Sequence, residues 1–222
     1  MSVDWSLVAE KLPDVLSAAG VTVEVWAASA VLGIALGTAV AIGRRFGPRP
    51  LDLALKLYVE VLRGSPFLVQ LFLLYFGGPF VGLSLDPVPA GLLALTLYGS
   101  AYYSEIVRAG FAAVPPGHTE AAACLGFTRA QSVLRIELPE MTVLVLPALV
   151  NMTILLLKET AVLSVITVPE LTLEISSIGS ETYRFVEALS LLALFYWGLV
   201  EACGGLGRLA EARLSRFRFA GP

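Results

Sequence analysis

The chain has 222 residues, of which 57% are hydrophobic and only 15% charged, with a net charge of −3. Soluble domains run near ~45–50% apolar and ~25% charged, so disorder and an ordinary cytosolic enzyme are excluded. The acidic balance also leaves no basic footprint for nucleic acid.

The apolar residues gather in runs of about 20, enough to cross a ~30 Å hydrocarbon core, which predicts an all-α, polytopic membrane protein. Residues 1–20 hold Asp4, Glu10 and Asp14 and no basic leader. They read as a short amphipathic segment at the membrane surface rather than a cleaved signal. Five spans follow, at about 21–43, 51–76, 88–107, 141–157 and 185–206, with a further apolar run at 161–168 and a tail over 211–222. Span one is broken only by Glu24. Span two holds Lys56, Glu60 and Arg63 in its first half, and its Gly64-Ser65-Pro66 should break the helix, because proline removes a donor and clashes with the preceding turn. That break either borders a solute path or simply fits a neighbouring helix; Pro147 in span four carries the same two readings.

Arginines mark one side of the membrane. They are Arg44, Arg45 and Arg49 after span one, Arg108, Arg129 and Arg135 after span three, and Arg208, Arg213, Arg216 and Arg218 in the tail. Only Lys11, Lys158 and Arg184 oppose them. The positive-inside rule then places the N-terminus outside and the C-terminus inside. No internal repeat of the kind found in secondary carriers is visible. Cys124 and Cys203 form neither a disulfide framework nor a metal cluster, His118 is the single histidine, and no P-loop is present. No metal or cofactor is expected in the chain, and ATP-driven work would need a partner.

The loop at 115–139 is the most patterned segment. Pro115-Pro116-Gly117 stops the preceding helix, Thr119 is placed to cap a new one near Glu120, Ala121–Ala123 favour helix, and Gly126 ends or bends it. A second helical piece is expected over 129–136, giving two short helices that meet at a glycine outside the bilayer. His118 reads as a solvated loop residue. Glu120-Ala121-Ala122, then Gly126, Ile136 and Leu138-Pro139, resembles the EAA signature of ABC importer permeases in every fixed residue and spacing. In that family the loop carries the coupling helix, which docks on a cytosolic ATPase. Gly117, His118, Thr119, Glu120, Ala121, Ala122, Gly126, Ile136, Leu138 and Pro139 are therefore the candidate ATPase-coupling residues. Glu120 serves either as a cap or as a contact to the ATPase.

Further stretches resemble the polar amino acid branch of these importers: YVEVLRGSPFLVQL at 58–71, SAYYSEIVRAG at 100–110, AVPPG at 113–117, LLLKET at 155–160 and VITVPEL at 165–171. The resemblance covers about residues 20–210. The chain departs from it at Glu159, where the family often has Asp, and at Ser100, where Gly or Thr is common. It implies a type I ABC transmembrane domain over 21–210 in the bacterial inner membrane. It also implies a second permease subunit (a copy or a homologue), two cytosolic ATPases that bind ATP and magnesium, and a periplasmic or lipid-anchored binding protein. A related importer for a modified amino acid such as an opine or ectoine is an alternative, and a stand-alone secondary carrier a more distant one.

Charges inside a membrane tend to be paired or to line water. Lys56, Glu60 and Arg63 lie at i, i+4 and i, i+3 and read as a structural ion cluster, with substrate contact as the alternative. Glu105 and Arg108, also i, i+3, either brace the coupling loop or form an inner gate. Gln70, Tyr98, Ser100, Tyr102, Asn151, Glu159 and Thr160 are the substrate-path candidates. A carboxylate at Glu159 suits the ammonium of an amino acid; for the others packing or interhelix hydrogen bonds are the alternative. Gly33 and Gly37 form a GxxxG, and Trp26 and Trp197 are interfacial anchors or packing residues.

Overall fold

The computed structural model describes the backbone of residues 5–219 and the side chains of 11–213. Asp4, Glu10, Arg216 and Arg218 fall outside the described side chains. Among the described residues every regular element is helical. In chain order these are α1 (Trp5–Phe46), α2 (Arg49–Gly64), α3 (Phe67–Tyr75), α4 (Pro87–Ala113), α5 (Pro116–Cys124), α6 (Arg129–Ser132), α7 (Leu138–Glu159), α8 (Leu171–Thr182) and α9 (Phe185–Phe219).

Three helical stretches are long and apolar enough to cross a membrane: Lys11–Phe46, Arg129–Ile166 and Phe185–Arg213. A fourth appears if α2 and α3, which meet at 108°, count as one span. The sequence reading of five is not reached on apolarity. The reason lies in α4, whose 27 residues are ample in length but carry Tyr98, Ser100, Tyr102, Tyr103, Ser104 and Glu105. Ser100, Tyr103 and Ser104 are buried against protein, since α1, α2, α3 and α7 all pack against α4, while Tyr98, Tyr102 and Glu105 are half-buried.

Lipid tails are as apolar as leucine, so close backbone approach and hydrogen bonds must hold such helices together. Gly37 supplies the approach, since a Cβ there would stand 2.7 Å from the Ser100 carbonyl oxygen and 2.9 Å from the Ser104 nitrogen. The GxxxG is thus the α1–α4 contact. Trp26 is a packing residue, with Nε1 donating to the Thr153 carbonyl at 2.8 Å, while Tyr103 and Thr153 share a hydroxyl bond at 2.8 Å. Trp197 is 65% exposed.

Two boundaries differ from the sequence reading. α1 runs unbroken through residue 20, where a separate surface segment was drawn, because Val15 is buried against Leu171, Ile175 and Ile178 of α8 and Lys11 lies 3.6 Å from Glu181. The segment 171–182, to which the sequence reading assigned no element, is helix α8. Glu170 caps it, its carboxylate accepting from the amides of Thr172 and Leu173 at 2.9 Å each.

Candidate functional site: the loop between α4 and α7 and the face it joins

α4 ends before Val114, and α5 begins at Pro116, earlier than the sequence suggested. Proline at the first helical position loses no bond and arrives with the helical φ already set. Thr119 therefore lies inside α5 instead of capping it, and its hydroxyl donates to the Pro116 carbonyl at 2.8 Å. Glu120, Ala121 and Ala123 point outward, whereas Ala122 is 1% exposed and seats the helix on its neighbours. His118 is not merely solvated: its Nδ1 lies 2.8 Å from the Glu140 carboxylate at the start of α7.

The end of α5 follows the glycine rule. Gly126 takes φ +79°, its amide donates to the Ala123 carbonyl, and the Phe127 amide reaches back to Ala122. Thr128 then opens the next helix through a reciprocal cap. The Gln131 amide donates to its hydroxyl, and the Thr128 amide donates to the Gln131 side-chain oxygen. The second helical piece is not a separate helix. α6 passes through one π-helical turn, Val133–Glu137, straight into α7, with Pro139 in the first turn of α7. Ile136 is half-buried and Leu138 36% exposed.

Glu137 in that π turn is 5% exposed, and its carboxylate is paired with Arg45 at the end of α1. The Arg45 guanidinium lies 4.4 Å from the centre of the Phe111 ring. The pair ties the loop to α1 across 92 residues of sequence. The sequence reading missed it and used Arg45 only as a loop charge.

Above this, Glu105 gathers three guanidinium groups. Arg108 donates to it at 2.8 Å, Arg44 pairs with it closely, and Arg63 lies 3.7 Å away. Lys56 and Glu60 form the expected pair at 3.7 Å, with both side chains more than half exposed. Glu60 and Arg63 do not pair as their spacing suggested. Arg63 turns toward α4, where Glu105 is the less exposed carboxylate and Tyr102 offers a ring face at 5.4 Å.

The substrate-path candidates separate into two sets. Tyr98 and Tyr102 lie tilted against each other with ring centres 4.9 Å apart, Phe67 lies 5.2 Å from Tyr98, and Glu159 is half-buried at the end of α7. The tyrosine contact continues to Arg63, whose guanidinium lies 5.4 Å from the Tyr102 ring and 3.7 Å from Glu105. The others are placed differently. Ser100 is fully buried and bonded to Tyr58 at 2.6 Å, and Thr160 is fully buried and bonded to the Leu157 carbonyl. Gln70 clasps the broken helix, its amide donating to the carbonyls of Leu62 and Ser65 at 2.7 and 3.0 Å. Asn151 stands on an exposed stripe of α7 with Leu155 and Lys158.

A second buried acid also escaped the sequence reading. Glu170 is 1% exposed and accepts from the Tyr196 hydroxyl at 3.2 Å, and that hydroxyl also meets Thr160. Burial pushes the Glu170 carboxyl above its ordinary pKa, against the pull of the two amides it caps. An acid directly after Pro169, followed by apolar residues at Leu171, Ile175 and Ile178, is the cap signal that would have found it. Among the described residues no three His, Cys, Asp or Glu side chains are grouped to hold a metal ion.

The family profile described as "Binding-protein-dependent transport system inner membrane component" matches residues 33–216. The arginine transport system permease protein ArtQ of Bacillus subtilis strain 168 is 33% identical over 96% of this chain and 98% of its own length. The L-cystine transport system permease protein TcyB of the same organism is 32% identical over 97% and 93%. Among solved structures, an amino acid ABC transporter crystallised with histidines superposes with a TM-score of 0.90 at 36% identity, covering 96% of this chain and 100% of the other. The inward-facing MetNI methionine transporter shares the fold at a TM-score of 0.69 and 19% identity.

Proposed function

The chain belongs to the inner-membrane components of binding-protein-dependent transport systems, and from that premise we propose that it is the permease of an ATP-driven importer for polar amino acids. The observation that carries the reading is α5. It is a short helix between α4 and α7, with small residues and Glu120 outward and a glycine stop behind it, joined through the four residues 125–128 to the continuous rod of α6–α7. A rigid knob of this kind suits a groove on a separate ATPase.

In this reading α1, the α2–α3 pair, α4, α7 and α9 are the five spans. The N-terminus is outside, and α5 and the arginine-rich ends face the cytoplasm. Two permease subunits enclose the path, two ATPases seat on the α5 knobs, and a binding protein delivers solute to the outer face. ATP and magnesium act on the ATPases, and this chain performs no covalent step. ATP shifts the permease only as far as it favours one arrangement over the other. The face running from Glu159 through Tyr98 and Tyr102 to Arg63 and Glu105 would border the path. Glu159 would meet the ammonium or basic side chain of the solute.

Two substitutions test this in proteoliposomes that hold the complete transporter and binding protein. Gly126→Asp forces a side chain onto a left-handed backbone, which costs about 1 kcal/mol locally and tilts the knob. Uptake should fall about tenfold per ATP hydrolysed, while the amount of inserted protein is unchanged; an unaltered ratio of transport to hydrolysis would remove α5 from the coupling role. Glu159→Gln should raise KM for a cationic amino acid such as arginine about tenfold, the worth of one charged hydrogen bond. It should change KM for glutamine less. Equal kinetics for both solutes would return Glu159 to packing.

A further inference from the structure

A cavity of about 200 Å³ opens between the last turn of α1, the first turn of α2 and the last turns of α4. Arg44, Arg45 and Arg108 line it with Phe111, and Asp52 is the single acid among its walls. The import reading leaves this cavity without a role.

Its charges do not balance. Arg44, Arg63 and Arg108 share Glu105, and Arg45 holds Glu137. Adding Asp52, which lies 3.6 Å from Arg44, gives the surrounding cluster three carboxylates for four guanidinium groups, of which Arg63, Glu105 and Glu137 are not among the cavity walls; the walls themselves hold three guanidinium groups and one carboxylate. Donors are also left over. The Arg44 Nε is buried and makes no hydrogen bond, Asp52 Oδ1 standing off at 3.6 Å, and each guanidinium carries five N–H groups, more than these carboxylates engage. One monoanion with several acceptor oxygens would restore both balances.

The position of the cavity identifies the source of that anion. Arg44 and Arg45 directly follow the apolar run of α1, so the cavity sits where hydrocarbon gives way to headgroups. The exposed Phe46 and Leu51 flank it in sequence, and the exposed Leu53 and Leu57 continue the apolar side of α2. A soluble anion has no use for such a margin, whereas acyl chains do. At about 30 Å³ per water, the cavity holds roughly six or seven waters, room for a phosphodiester and the carbons of a glycerol.

We infer that this cavity binds the phosphodiester headgroup of an anionic phospholipid of the cytoplasmic leaflet, with Arg44 and Arg108 on the phosphate oxygens and Asp52 opposing it. Basic pockets between spans on this side commonly take such headgroups. The inference rests on the membrane reading and its orientation but not on any transport step, so lipid binding and uptake can fail separately.

Native mass spectrometry of the detergent-purified transporter, with its partner subunits, tests it with phosphatidylglycerol and phosphatidylethanolamine as probes. Phosphatidylglycerol should be retained in preference. Arg108→Gln, at a half-exposed residue, should weaken retention about fivefold, the worth of one cation near an anionic surface. Asp52→Asn should strengthen retention by a similar factor, a gain that a purely structural role for these residues does not produce. Equal retention of the two lipids, or phosphatidylglycerol retention that neither substitution moves, would overturn the assignment. Displacement by millimolar inorganic phosphate would also overturn it, in favour of a soluble anion.

Discussion

Arg45→Met is expected to lower the stability of the purified protein by about 3–5 kcal/mol, because it strands Glu137 as a buried charge with no partner. The reverse change, Glu137→Gln, should cost less. Arg45 keeps about a third of its side chain in solvent and still lies over the Phe111 ring, so its charge is not abandoned in the same way. Replacing both residues with methionine should recover most of the loss, since a buried pair and a packed apolar pair are often equivalent. Thermal unfolding in one detergent, followed for the three variants, reads the order directly. If Glu137→Gln proved as costly as Arg45→Met, the pair would not be the buried clamp described. The clamp also bears on coupling. It fixes the π turn, and with it the root of α7, to the end of α1, so under the proposed coupling role a push on α5 would reach both helices.

Gly37→Leu should be as damaging for a different reason. The first atom added would meet the backbone of Ser100 and Ser104, which cannot swing aside as a side chain can. Forcing α1 and α4 apart would open the central packing around Tyr103, which is fully buried. Overpacking of this kind costs about 3 kcal/mol or more. The expected result is a steep drop in folded protein recovered from the membrane and a lower melting temperature for what remains. Gly198→Leu is the control. Nothing lies within 4 Å of a Cβ at that position in α9, so its yield and melting temperature should match the parent. If the two variants behaved alike, the close α1–α4 approach would not be what holds the bundle.

What could be read in advance follows from how far each feature reaches along the chain. The break at Gly64-Ser65-Pro66 and the helix stop at Gly126 were legible because proline and glycine act within one turn. The Lys56–Glu60 and Glu105–Arg108 pairs were legible for the same reason. The start of α5 was misread because Thr119 is a good cap in isolation, while Pro116, three residues before it, already fixes the first helical turn. α8 was missed because only its packing on Val15 and the cap at Glu170 reveal why it is helical. Arg45–Glu137 and Arg63–Glu105 join residues far apart in sequence, and no local spacing reports such partners. The candidate path was legible as a set of polar residues but not as a face. Burial removes Ser100 and Thr160 from the open surface, while a tilted ring contact joins Tyr98 to Tyr102.

The contrast between α4 and α9 has a consequence for how freely the chain varies. Only 6% of the apolar window of α9 is buried within this chain, and Leu189, Leu194, Leu206 and Leu209 all face outward. To hydrocarbon one aliphatic residue is much like another, so an exchange of leucine for valine or isoleucine there changes little. α4 offers no such latitude, because Ala90, Gly91, Ala94, Gly99 and Ala101 are each held to size by a neighbouring helix. Substitution of one aliphatic residue for another should thus be tolerated on the outward side of α9 and resisted along α4, where a neighbouring helix already fills the space.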